Sequence, residues 1–471
     1  MTTEVVTSLH LRKHREIITR VTLTLSDIPR LSGAWPVLGN IPELARDAPA
    51  MFLRALRQYG PVFQYKFAAT ATVCFLEPDC IREVLVDKAD AFEKGQFVEG
   101  LKPLIGNGLL SSDNALHKRQ RKLAAPAFHH QRIASYAALI ADYAEQTQAA
   151  WRNGDVIDVH ADMMTLTLRV VGKALFDADV VGESKKVGEA LTYLLHAIQA
   201  RNFNPLSPPL NWPTPANRRY NAAIRQLDDT IYRIIRERRT SGEDRGDLLS
   251  MLLSAQDEDD GTGMTDAQLR DEAMTIFLAG HETTANAMSW ALYLLAKNPD
   301  KCARLEAEAR DVLGGRAPTF EDVRALPYAL QVFKEAIRLY PPAYIFGRTS
   351  VRDVQIGNYL ITAGTTVALS PYALHRRPEF FADPERFEPE RFTSEREAAL
   401  PKFAYLPFGG GSRVCIGNQF ALMEGQLMLA TFAQRVSLDL ADARPIELEP
   451  LVTLRPKGGL RMRVRRYNSA A

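Results

Sequence analysis

The sequence predicts a mainly helical protein with a smaller β region, and three observations carry that prediction. From Ala115 to about Asn298 the apolar residues mostly recur at the spacing of one helix face. After Pro341 the texture changes to short pieces rich in Thr, Val and Gly, such as TSVRDVQIGNYLITAGTTVALS, which read as strands and turns. No internal repeat and no Gly/Ser- or Pro-rich linker divides the chain, so residues 1–471 are expected to form one domain.

The elements follow in order. Residues 1–30 carry charges through their first half and hold no apolar run of signal-peptide or membrane-span length before Leu31. They are expected to be an N-terminal extension of a soluble, cytoplasmic protein, without a transmembrane helix, though a small basic segment of this kind is able to touch a membrane surface. The stretch SGAWPVLGNIPE (Ser32 to Glu43) is turn-rich, and Val62 to Phe67 with Ala71 to Phe75 reads as an early strand pair. The acidic stretch DEDDGTG (Asp257 to Gly263) breaks the helical region. It lacks the spacing and terminal glutamate of a calcium loop, so a solvated loop is expected. In the tail, Leu460, Met462 and Val464 alternate with Arg461, Arg463 and Arg465, a strand with one wet face.

Composition narrows the function classes. With 46% hydrophobic and 24% charged residues the chain buries a sizeable core. A formal net charge of +2 argues against a nucleic-acid binder that works by bulk charge. Four scattered cysteines, Cys74, Cys80, Cys302 and Cys415, make no disulfide framework and fit a reducing compartment.

One helix stands out. Thr265 and Gln268 have capping-box spacing, and the segment they open runs to a stop at Asn298-Pro299. It is uncharged from Ala273 to Gly280 and again from Ala285 to Ala296, so it is expected to pass through the protein centre. Its middle holds Gly280, His281, Glu282, Thr283 and Thr284. A membrane span is excluded by polar groups at mid-length and an acidic flank. A zinc-protease motif fails because Ala285 stands where the second histidine is required. Two readings remain. One is a packing glycine with threonines bonding back to the preceding turn. The other is a groove widened at Ala279-Gly280, with Glu282 and Thr283 placed to relay protons.

The second outstanding stretch is FGGGSRVCIG, Phe408 to Gly417. A phosphate loop would need a lysine, which is absent, and a cysteine-phosphatase loop would need arginine where Ala421 stands. No Cys or His lies within ten residues of Cys415 to complete a zinc site. A simple buried cysteine is the plain alternative. Against it, three glycines let a backbone approach a flat object. The amphipathic helix opening after Gly417 would stabilise a thiolate. A thiolate facing a flat cofactor suggests haem iron, where its electron density favours O–O cleavage.

FGGGSRVCIG resembles the haem-binding signature of the cytochrome P450 family, Phe-x-x-Gly-x-Arg-x-Cys-x-Gly, with Phe408, Gly411, Arg413, Cys415 and Gly417 all present. AGHETT (Ala279 to Thr284) is similar to that family's oxygen-activation motif. KEAIRLYPP carries its Glu-x-x-Arg as Glu335 and Arg338, and FEPERF its later arginine as Arg391. The resemblance runs from WPVLGN near residue 36 to the closing TLRPKGGLRMRV.

The resemblance implies a helical triangular prism with a small β region, in which haem b lies between the long central helix and the cysteine loop. It makes Cys415 the proximal iron ligand and places Phe408 beside the sulfur. Arg121, Arg348 and Arg413 would hold haem propionates, with His117 where many members have tryptophan. Glu282 and Thr283 would serve catalysis. Glu335, Arg338 and Arg391 would form a buried ion network, although the spacing of Gln331, Lys334, Glu335 and Arg338 alone reads as a solvated helix face. Lys118, Arg119 and Lys122 read either as a wetted face or as a docking site for an acidic electron donor.

The implied activity is monooxygenation: O₂ is reductively activated and one oxygen atom enters a lipophilic substrate, a terpenoid, fatty acid or similar hydrocarbon. Electrons would come from a separate ferredoxin with its reductase, or a flavodoxin, since no reductase domain is fused. The protein is expected to be a monomer. By family position, Phe97–Leu110, Ala190–Phe203, Met274–Ala279, Ala343–Phe346 and Leu451–Thr453 would line the substrate site. The alternatives are a peroxide-driven peroxygenase of the same fold, which typically lacks the Glu282-Thr283 type of pair, and a non-catalytic haem sensor.

Overall fold

The computed structural model describes residues 22–177, 181–204, 206–256, 261–442 and 444–467. Most of the expected N-terminal extension and residues 257–260 of the acidic loop lie outside the described residues. The longer helices are α1 (Ile41–Tyr59), α2 (Asn114–Ala124), α3 (Ala137–Ala149), α4 (Val159–Phe176), α5 (Val181–Asn202) and α6 (Pro215–Ser241). They continue as α7 (Leu248–Ser254), α8 (Asp266–Lys297), α9 (Pro299–Leu313), α10 (Pro327–Leu339) and α11 (Asn418–Ala433).

The strands are β1 (Val62–Phe67), β2 (Thr70–Phe75), β3 (Phe92–Glu93), β4 (Val156–Asp158), β5 (Phe346–Ser350) and β6 (Val354–Ile356). After these come β7 (Tyr359–Ile361), β8 (Thr366–Leu369), β9 (Val436–Leu440), β10 (Leu448–Pro450), β11 (Leu454–Pro456) and β12 (Arg461–Arg466). The largest sheet has the order β1-β2-β8-β5-β3. Its hairpin β1–β2 pairs Val62 with Phe75, as the alternation predicts. Strand β12 lies between β4 and β9, burying Met462 and Val464 while Arg461 and Arg463 face solvent.

Helix α8 organises the rest. Its capping box forms as expected: the Thr265 hydroxyl accepts from the Gln268 N–H, and the Gln268 side chain accepts from the Thr265 N–H. From Leu269 to Leu278 the helix packs into one apolar cluster with α5, α6 and α7. From Ala285 to Leu295 it packs into another with α3, α4, α10 and α11. Trp290 is buried there, stacked on Tyr340 with ring centroids 4.2 Å apart. The polar segment Ala279 to Thr284 falls between the two clusters. A third cluster fills the β region around Phe52, Phe63 and Phe75.

Candidate active site

The cysteine loop is closed by its own backbone, the Cys415 N–H donating to the Phe408 carbonyl at 2.9 Å. Two of its three glycines are required by neighbouring protein. Gly411 has φ +67°, and a Cβ there would lie 1.9 Å from the Leu85 carbonyl oxygen. A Cβ on Gly410 would lie 2.6 Å from the Phe403 ring. Gly409 also has positive φ but faces open space. The close approach that glycine permits is therefore to the segment around Leu85 as much as to any ligand.

Cys415 is exposed, unlike Cys74 and Cys80, which are buried. Protein atoms nonetheless crowd its thiol and push its pKa up, against the Gly417 N–H and the Arg121 charge, which pull it down. The protein groups alone leave the thiol protonated, and a bound metal cation would remove the proton. Among the described residues, no three His, Cys, Asp or Glu side chains gather as a metal site. Cys415 therefore suits a metal that brings its other ligands with it, as haem iron does.

A rim of positive charge stands beside this loop. Arg121 donates from Nη1 to the Val414 carbonyl at 2.8 Å. Arg413 donates from Nη1 to the Ser112 carbonyl at 2.8 Å and pairs with Asp113 at 2.6 Å. Asp113 also accepts the Lys94 backbone N–H at 3.0 Å. Burial, then the neighbouring Arg413 charge, lowers Arg348 to about 10. Burial lowers His117 to about 4, with Arg413, Lys94, Arg121 and Arg348 adding to the effect. Lys94 is pushed well down by burial and then by Arg348 and Arg413. Lys94, Arg348 and Arg413 share Asp113 as a nearby carboxylate, with Arg121 beside them and Glu93 acting on Arg413, an arrangement that calls for further negative charge. The two propionates of haem supply it, so these residues fit the group. Lys94 was not legible in the sequence. Its only local mark is the neighbouring Gly95, with φ +57°, where a Cβ would strike Thr349.

On α8, Ala279 is exposed and Gly280 and Thr283 are partly exposed, whereas the residues from Ala285 to Leu295 are all buried. Ala279 and Thr283 are one helical turn apart and share a face. The Thr283 hydroxyl donates to the Ala279 carbonyl at 2.6 Å. The helix is nevertheless continuous from Asp266 to Lys297, so the expected widening at Ala279-Gly280 is corrected: no π turn forms. Gly280 is a packing glycine, because a Cβ there would sit 2.9 Å from Val171 of α4.

Glu282 makes its polar contacts with the β10–β11 hairpin. It is buried, and its Oε1 accepts from the Thr453 hydroxyl at 2.7 Å, with Arg455 Nη1 at 4.0 Å. Burial raises its pKa, and Thr453 and Arg455 oppose that rise. Thr284 is buried and faces Glu424 of α11. His281 is buried against α4, where its carbonyl accepts from Thr167 at 2.9 Å, and burial lowers its ring to about 3.

Glu335, Arg338 and Arg391 come together and are buried. Glu335 takes Arg338 Nε at 2.6 Å and Nη2 at 2.8 Å, and Arg391 Nε lies 3.4 Å away. This corrects the solvated face expected from helix spacing alone. The partners that cover it, the carbonyls of His375, Pro384 and Arg386, come from distant sequence. Phe408 is partly buried against the central apolar cluster. Of the basic cluster, Lys118 and Lys122 are exposed, while Arg119 donates to the Thr262 hydroxyl at 2.7 Å.

Comparison with known proteins agrees with this geometry. The family profile described as Cytochrome P450 matches residues 29–462. Cyclooctatin synthase of Streptomyces melanosporofaciens is 38% identical over 91% of this chain and 94% of its own length. Pentalenene oxygenase of Streptomyces avermitilis is 34% identical over 88% of this chain and 93% of its own. The crystal structure of the cytochrome P450DA heme domain superposes with a TM-score of 0.87 at 29% identity, covering 95% of this chain and 99% of that one. With an exposed cysteine, a cationic rim and this likeness along the whole fold, the chain belongs to the cytochrome P450 family and is a haem-iron monooxygenase.

Proposed function

We propose that this P450 hydroxylates a terpenoid hydrocarbon, with electrons supplied by a ferredoxin and its reductase, or by a flavodoxin. The observation that carries the reading is the uncovered patch Ala279, Gly280 and Thr283 in an otherwise buried helix, a small apolar surface with one hydroxyl. A bulky hydrocarbon suits such a surface, because burying it requires no polar partner. Relatives are named for oxygenation of pentalenene and of cyclooctat-9-en-7-ol, an alkene and an alkenol.

In this reading haem b is held by Cys415 at the iron and by Lys94, Arg121, Arg348 and Arg413 at the propionates. When bound, it supplies the chemistry that activates O₂ with two electrons and two protons. The chain's own residues position and protonate. Thr283 orders a water on the open face of α8, and Glu282 holds the proton that replenishes that water. Phe408 limits access to the sulfur. Lys118 and Lys122 would attract an acidic electron donor to α2, whose Arg121 touches the residue before Cys415. A monomer in the cytoplasm completes the reading, supported by four free cysteines.

The test is a panel of cyclic terpene hydrocarbons and straight-chain fatty acids, added to the haem-loaded protein with ferredoxin and reductase under heavy-isotope O₂. Terpenoid hydroxylation should follow, with one labelled oxygen in the product. Turnover confined to fatty acids would overturn the substrate assignment. Product formed with peroxide alone and never with the electron donor would favour the peroxygenase.

A further inference from the structure

The polar contacts of Glu282 lie off its own helix. Of its helical neighbours, His281, Thr284, Ala285 and Asn286 are buried and Thr283 is partly exposed. Its polar contacts, Thr453 and Arg455, belong to the β10–β11 hairpin. Thr453 is itself fixed, accepting from Asn286 Nδ2 at 3.0 Å. Arg455 is 5% exposed at its side chain and turns outward, donating from Nε to Glu449 at 2.9 Å and from Nη2 to His196 Nε2 at 2.9 Å. His196 lies on α5, 3.5 Å from Glu449, and its side chain is 45% exposed, the first group along this chain that solvent reaches freely. Its Nδ1 lies 2.8 Å from the Thr192 carbonyl, which assigns the ring proton there and leaves Nε2 to accept from Arg455.

We propose that the β10–β11 hairpin sets the proton supply of the site: Thr453 and Arg455 position Glu282, and Glu449 with His196 connects it to bulk solvent. The inference rests on the role given to Glu282 above. The proton passes from solvent at His196 and Glu449 to Glu282 Oε1, then to the water ordered by Thr283. Arg455 stays charged throughout and carries no proton, because guanidinium does not deprotonate in proteins. It stands between the two carboxylates, Nη1 4.0 Å from Glu282 and Nε 2.9 Å from Glu449, and the proton crosses from one to the other on water. The charged and titratable groups facing this path are Glu282 of α8, Arg455 and Glu449 of the hairpin, His196 of α5 and His160 of α4.

The hairpin has a second contact that gives the arrangement a use. Its turn is clamped by the Tyr344 hydroxyl, which donates to the Leu451 carbonyl at 3.1 Å, and by Gln199 of α5, which donates to the Pro450 carbonyl at 2.9 Å. Leu451–Thr453 and the C-terminal part of α5 are both expected in the substrate wall. A substrate that presses on this turn therefore also sets the geometry of the acid, linking occupancy to proton delivery.

The test uses haem-loaded Glu282→Gln, Thr453→Val, Arg455→Gln and His196→Gln with two readouts. The first is product per electron consumed. Thr453→Val should lose about fivefold, the worth of one hydrogen bond, and Arg455→Gln should lose product per electron in the same direction. His196→Gln, at an exposed site that leaves folding intact, should also lower product per electron. The second is the infrared band of the protonated Glu282 carboxyl, identified by its loss in Glu282→Gln. Since Thr453, Arg455 and His196 all lower this carboxyl's pKa, the band should persist to higher pH in each of the other variants. If Glu282→Gln uncouples while His196→Gln and Arg455→Gln match wild type in both readouts, the hairpin route is overturned and the role of Glu282 stands. If Glu282→Gln itself leaves product per electron unchanged, that role falls, and the route with it.

Discussion

His375 Nε2 accepts the backbone N–H of Leu406 at 2.8 Å. That bond ties the buried ion network to the segment that enters the cysteine loop, since the His375 carbonyl in turn accepts from Arg338 at 2.9 Å. Burial holds this imidazole neutral, with its pKa lowered to about 3, so Nε2 remains an acceptor at neutral pH. The network therefore works as a mount for Phe408 and Cys415.

Arg338→Ala should leave Glu335 buried without its partner and lower stability by roughly 3–5 kcal/mol. His375→Ala should be milder, removing a neutral acceptor from one backbone donor, about 1–3 kcal/mol. Both should broaden the haem absorption bands before the helices melt. Thermal unfolding followed at the Soret band and by circular dichroism checks this: coincident transitions in His375→Ala would argue against a specific link to the loop.

Lys94→Met should act oppositely on the two forms of the protein. In haem-free protein it removes a cation that burial and Arg348 disfavour, so the melting temperature should rise. In haem-loaded protein it removes a propionate partner, and haem transfer to a scavenger should speed up about tenfold or more. Arg348→Ala should behave alike. A fall in both quantities would reduce Lys94 to a packing role.

Glu424 is buried, and Thr284 of α8 is the polar side chain that faces it. Burial raises it to about 8, a rise that Thr284 only partly opposes. The folded protein therefore holds a proton that the unfolded chain releases near pH 4.5. The stability tied to this proton is full below the unfolded value and falls as pH rises toward 8, by about 1.4 kcal/mol per pH unit within the window. Glu424→Gln should remove that slope. Denaturant unfolding at pH 5.5 and 7.5 measures it, and an equal slope in the variant would contradict the assignment.

Thr283→Ala should fold and bind substrate normally, since alanine is the better helix former. Its defect should be in coupling, with more electrons leaving as hydrogen peroxide and fewer as product. Thr284→Ala, buried toward Glu424, should alter stability and leave coupling near wild type. Product and peroxide measured per electron consumed separate the two, and equal coupling in Thr283→Ala and wild type would make this threonine structural.

What the sequence made legible was local. The cysteine loop, the capping box at Thr265 and the alternation of Met462 and Val464 each depend on residues a few positions apart, so spacing alone exposes them. The ion network came from the family resemblance and not from spacing, because Glu335 and Arg338 look like one solvated turn until carbonyls from His375, Pro384 and Arg386 close over them. Gly280 was open to two readings because only the approach of Val171 explains it. Lys94 and the Glu282–Arg455–Glu449–His196 chain were out of reach for the same reason. Charge clusters assembled from separate elements leave no periodicity in the sequence.

The central claim is that Cys415 is the iron ligand, and the spectrum of the reduced protein under carbon monoxide tests it most directly. The wild type and variants of Cys74, Cys80 and Cys302 should show the red-shifted Soret band of thiolate-ligated haem, and Cys415→Ser should lose it. Retention of that band in Cys415→Ser would contradict the account.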